Sequence, residues 1–122
     1  MPELDLTRRI VFALDGMVDI TSTRYVYRRA PDADLLMDVY SPLPAVGEGP
    51  PPALCFVHGG PIPETMLPPR EWGVFQSYGQ LAAASGLVGI VFNHRLFAPT
   101  AYETAESDVK AAVDYVRANS HA

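Results

Sequence analysis

The chain has 122 residues, 48% of them hydrophobic, a length that suits one domain with a modest core. Its formal net charge of -5 argues against a nucleic-acid partner, which is ordinarily met by a basic surface. No apolar run approaches a membrane span, and an N-terminus with Glu3 and Asp5 ahead of its arginines does not resemble a secretion signal, so the expected setting is cytoplasmic, with no membrane association.

In chain order, residues 3–15 read as a short helix with Leu6, Ile10, Ala13 and Leu14 near one face and Gly16 as its stop. This helical arm, over residues 1–20, belongs to a single domain of residues 1–122. Two strands follow, Arg24–Arg28 and Leu35–Tyr40. The turn-forming run Ala30-Pro-Asp-Ala-Asp34 between them predicts an antiparallel hairpin. Alternation sets Tyr25 and Tyr27 on one face, opposite Arg24, Val26 and Arg28. Residues 41–52 are dominated by Pro and Gly and form a surface connection.

The stretch Ala53-Leu-Cys-Phe-Val-His58 is an apolar run suited to a strand buried on both faces, and it stops at Gly59-Gly60-Pro61. After a stiff, proline-rich loop, a helix is expected from Glu71 to Ser85. Its buried stripe is Phe75, Tyr78, Leu81 and Ala82, and Gly86 is its C-cap. Leu87–Phe92 is a second buried parallel strand. A final helix starts near Thr100 and Glu103, which stand in capping-box spacing, and turns Val109, Ala112, Val113 and Val116 inward. Together these predict an α/β fold: a mixed four-stranded sheet in order 1-2-4-3, its first two strands a hairpin and its last two parallel, with flanking helices.

Gly59 and Gly60 carry the chemistry. Without a Cβ, their N–H groups can face a ligand at the end of a buried strand, which is what an oxyanion hole needs. The His58-Gly59-Gly60 element resembles the oxyanion-hole loop of α/β-hydrolase-fold enzymes of the esterase and dienelactone-hydrolase-like branches. The likeness continues through Tyr78-Gly-Gln-Leu-Ala-Ala-Ala-Ser-Gly86 and Val91-Phe-Asn-His-Arg-Leu96 to Ser107-Asp-Val-Lys-Ala-Ala-Val-Asp-Tyr-Val116, covering residues 24–118. It implies catalytic backbone N–H groups on Gly59 and Gly60, a structural role for His58, and a clamp between Arg95 and Asp108 that ties strand to helix. Pro61 stands where the commoner His-Gly-Gly-Gly form has its third glycine, and has no N–H to give.

Met66, Leu67 and Trp72 are candidate walls of an acyl pocket, with His94 at the strand exit. Cys55, inside its strand, reads as a core residue, and the lone cysteine forms no internal disulfide. Three histidines without paired spacing give no metal site, and no glycine pattern marks a phosphate loop, so no cofactor is expected. No Gly-x-Ser-x-Gly occurs anywhere. The resemblance therefore implies the front half of a serine hydrolase for carboxylic esters or related acyl substrates, inactive alone. A small-molecule ester would be the substrate of the complete enzyme. The chain would be a truncated product, an expressed segment or one of two complementary pieces, and its strand at residues 53–58 would present an open edge to a second copy or a complementing chain. The alternatives are a non-catalytic binding or scaffold module, and a prolyl-oligopeptidase-type peptidase, whose relatives also show His-Gly-Gly-Pro.

Overall fold

Runs rich in β-branched and aromatic residues build the first hairpin. Strand β1 (Ser22–Arg29) pairs antiparallel with β2 (Asp34–Tyr40). The computed structural model describes residues 20–31, 33–42, 51–63 and 65–119. The helix expected over 3–15, most of the 1–20 arm and His121 lie outside the described residues. The apolar runs after the Pro-rich connection form β3 (Ala53–Phe56) and β4 (Val88–Phe92), with helix α1 (Gly73–Ala84) between them and α2 (Tyr102–Ala118) after them. The sheet order is β1-β2-β4-β3, with β2 antiparallel and β3 parallel to β4. The mixed sheet in order 1-2-4-3 is thus the observed one.

One helix covers each face. On the α2 side, Tyr27, Leu35, Met37, Ile90 and Phe92 pack with Ala112. On the α1 side, Tyr40 and Val91 pack with Ala83 and Ile20. A register shift between Val26 and Arg28 inserts Tyr27 as an extra residue in β1. A bulge of one residue reverses the alternation beyond it. Arg28 therefore leaves the face of Arg24 and reaches Ser107 and Asp108 of α2, contrary to the simple alternation expected for this strand.

Helix α1 begins later than expected. Pro68-Pro69 lead into one 3-10 turn (Pro69–Glu71), and the extended ψ of Trp72, 139°, separates it from the α-helix. Of the expected stripe only Ala82 is fully buried; Gly73, Ser77, Gly79 and Ala83 take the inner face instead. The reason is close approach: a Cβ on Gly89 would lie 2.4 Å from the Gly79 carbonyl oxygen. Backbones that near each other select small residues, and Phe75 and Tyr78 are displaced to the flank, where Tyr78 stacks on Phe56. The helix ends in a Schellman motif, as Gly86 at φ 87° allows: Gly86 N–H bonds Ala83 O and Leu87 N–H bonds Ala82 O. That bond holds Leu87 with the helix, so β4 starts one residue later than expected.

Thr100 does not cap α2. The N-cap is Ala101, with no side-chain cap bond, after a turn closed by Ala101 N–H and Ala98 O. Its buried residues are Ala105, Asp108 and Ala112, with Val109 and Val116 packed beside the core. Strand β3 is shorter than expected and is not buried on both faces. Leu54 is 44% and Val57 52% exposed, because β3 ends the sheet and pairs with β4 on one side. Cys55 is half-buried in consequence, and burial still pushes its thiol up from the ordinary value.

Candidate functional site

The C-terminal ends of parallel strands are where open α/β sheets place their ligands. Here the loops leaving β3 and β4 lie together and are pinned to each other. The imidazoles of His58 and His94 stack, centroids 3.6 Å apart and 12° from parallel. His94 Nε2 lies 2.8 Å from the His58 carbonyl oxygen, and Ile62 N–H donates to Leu96 O at 2.9 Å. A carbonyl only accepts, so His94 carries its proton on Nε2 and receives the Leu96 N–H at Nδ1, 3.4 Å away. By the same logic His58 Nδ1, 2.9 Å from Gly59 O, carries the proton, and Nε2 holds the lone pair. Burial pushes His58 down to about 4, against the opposing bond to Gly59 and with His94 adding to the effect. At neutral pH its ring is therefore uncharged.

Gly59 and Gly60 are both exposed in the β3 loop. Their N–H groups donate to no described residue. Gly59 has open space where a Cβ would stand, whereas a Cβ on Gly60 would meet Ile62 N at 2.9 Å. The loop is thus fixed on both sides of two unused donors.

Beside it lies a cavity of about 150 Å³, walled by Leu35, Ile62, Pro63, Met66 and Phe97, with Asp34, His58, Asn93 and His94 as its polar lining. Met66 and His94 meet here. Leu67 does not: it borders a separate, polar concavity of about 290 Å³ with Arg24, Asp38, Arg70 and Glu71. Trp72 borders neither cavity; its indole N–H donates to Leu67 O at 2.7 Å and its ring tilts against Phe75. An acyl pocket made from Met66, Leu67, Trp72 and His94 together is not what these positions form.

Arg95 and Asp108 are joined tightly. Arg95 donates from Nη2 to Oδ1 at 2.8 Å, from Nε to Oδ2 at 3.0 Å and from its backbone N–H to Oδ2 at 2.9 Å. Asp108 is fully buried, and Arg28 approaches it from β1 at 3.4 Å. This pair fixes the β4 exit on α2.

Sequence reasoning passed over a second buried group. Arg70, 3% exposed, donates from Nη1 to Asp38 Oδ2 at 2.8 Å and from Nε to Asn93 Oδ1 at 3.2 Å. The other Asp38 oxygen takes Arg24 Nε at 2.9 Å, and this bond foremost raises the Arg24 pKa. The available signal was an aspartate at the centre of Leu35-Leu-Met-Asp-Val-Tyr40, where an unpaired charge would be costly. Asn93 is held at three points in all. Its N–H bonds Leu36 O at 3.0 Å, its carbonyl accepts the Tyr27 hydroxyl, and its amide oxygen is committed to Arg70.

Among the described residues no group of three or more His, Cys, Asp or Glu is arranged to hold a metal, and no helix is long and apolar enough to cross a membrane. No protein-family model matches the chain, and no curated protein matches it.

Proposed function

We propose that this chain carries the oxyanion-hole portion of a serine hydrolase of the α/β-hydrolase fold, acting on carboxylic esters or related acyl substrates. The observation that supports the reading is the pair of N–H groups on Gly59 and Gly60, which have no acceptor among the described residues in a loop braced by the His58–His94 stack and the Ile62–Leu96 bond. In this reading a serine attacks the ester carbonyl, and the two donors hold the negative oxygen that forms. Each such donor is worth roughly 2.7–4 kcal/mol of barrier. The serine, its histidine and its acid come from polypeptide beyond these 122 residues, since no Gly-x-Ser-x-Gly is present. The outer edge of β3, unpaired among the described residues and with Leu54 and Val57 exposed, then receives the next strand from a complementing chain or, without one, from a second copy.

A fluorophosphonate probe, which labels activated serines, tests the reading in an extract of the source cells alongside an antibody to this segment. An immunoreactive, labelled band well above 13.3 kDa is the expected result. An immunoreactive band at 13.3 kDa, with none above it and no labelled protein co-precipitating with it, sinks the reading. A second reading, a non-catalytic binding module, is favoured by the cavity, whose described lining includes neither Gly59 nor Gly60.

A further inference from the structure

Two residues of the cavity lining, Asn93 and His58, carry side-chain atoms whose roles are fixed by bonds made elsewhere. Asn93 must present its amide oxygen to Arg70 Nε, because a guanidinium only donates. That orients the amide and leaves Nδ2 as a donor with no partner among the described residues. His58, protonated on Nδ1 by its bond to Gly59 O, keeps Nε2 as an acceptor that likewise has none. Among the described residues the other two polar side chains of the lining are occupied: His94 uses both ring nitrogens, and Asp34 pairs with Arg29 at 3.4 Å. The rest of the described lining is apolar, and Met66 and Phe97, 42% and 40% exposed, still show hydrocarbon surface there.

We propose that this cavity binds a small, neutral, hydroxyl-bearing apolar molecule, a phenol or compact alcohol, whose O–H donates to His58 Nε2 while its oxygen accepts from Asn93 Nδ2. The chemistry selects this class. A ketone or ester oxygen accepts from Asn93 and gives His58 nothing. A carboxylate gives His58 nothing either, and it enters a lining that already holds Asp34. An ammonium donates to His58 and leaves the amide donor unmet. A hydroxyl does both, and about 150 Å³ is the size of cavity that holds a single benzene-sized body. The site does not rest on the hydrolase reading, which uses the backbone donors of Gly59 and Gly60.

The test is a nuclear magnetic resonance titration of the chain with phenol, anisole, toluene and benzoate. Phenol is expected to bind saturably and to shift the signals of Leu35, Ile62 and Phe97. Anisole, which has lost the donor, is expected to bind about tenfold more weakly, the worth of one hydrogen bond. Benzoate should shift none of these signals. In a His58→Phe chain, phenol affinity should drop to that of anisole while anisole is unchanged. Equal affinities of phenol, anisole and toluene for the wild-type chain would overturn the proposal, as would phenol shifts that avoid these three residues or no saturable binding at all. The ligand series needs no variant, so a poorly folded His58→Phe chain does not spoil it.

Discussion

Arg70 donates to Asp38 at 2.8 Å with both side chains at most 5% exposed, so a charged pair is sealed between the β2 strand and the loop before α1. Asp38 also holds Arg24, whose side chain is 54% exposed. The two arginines make similar bonds in unlike surroundings. Removing one partner of a buried pair leaves an uncompensated charge, at a cost of about 3–5 kcal/mol, whereas an exposed partner contributes less than about 1 kcal/mol. Arg70→Ala is therefore expected to lose most of the chain's stability in urea unfolding, and Arg24→Ala little. Equal losses would show that burial does not decide the energetics here.

The contact of α1 with β4 gives a steric prediction. A Cβ at position 89 would meet the backbone of Gly79, at 2.4 Å from O and 2.8 Å from Cα, and no rotamer change relieves that. Gly89→Ala should destabilise by about 1–3 kcal/mol or more. Gly59→Ala, with open space around the new methyl, should change stability by less than about 0.5 kcal/mol. Thermal unfolding of the two variants measures the contrast.

Asp108 should outweigh the residues that look like a helix cap. Asp108→Ala leaves Arg95 without its bidentate acceptor and is expected to cost about 3–5 kcal/mol. Thr100→Ala removes no cap bond from α2 and should fall within about 0.5 kcal/mol of the parent. A loss above about 1 kcal/mol for Thr100→Ala, the usual cost of losing a cap, would restore the capping-box account.

Acid should weaken the fold through His58. Its folded value of about 4 lies below the ordinary 6.5. Between those values the unfolded chain binds more protons than the folded one, so stability rises with pH across that window. The contribution is fully present above about pH 6.5 and is lost as pH falls through about 4; a shift of this size corresponds to roughly 3 kcal/mol. Urea midpoints should drop as the pH is lowered through this window in the parent, and drop less steeply in His58→Phe. Parallel slopes would remove His58 as the cause.

The outer edge of β3, unpaired among the described residues, should make the chain self-associate at micromolar concentration. Leu54→Lys places a charge on that edge and is expected to shift the mass seen by light scattering toward 13.3 kDa. A parent chain that is already monodisperse at that mass would count against the edge as a docking surface.

The sequence by itself determined the order and type of the described elements. Apolar runs, the turn at Ala30–Asp34 and the glycine at position 86 are local signals, and backbone geometry obeys them locally. It also marked Gly59-Gly60, because two glycines after an apolar strand need no distant partner to be noticed. Which helix face turns inward was settled by tertiary contact: Gly79 and Ser77 are buried in place of Phe75 and Tyr78 because the α1 and β4 backbones nearly touch. The side on which Arg28 falls was settled by a bulge that the strand pattern does not announce. The cavity between the β3 and β4 loops, which brings His58 beside His94, and the orientation of the Asn93 amide, which Arg70 sets from another element, depend on residues distant in sequence. Local propensity reads neighbours in sequence, and a binding site is made by neighbours in space.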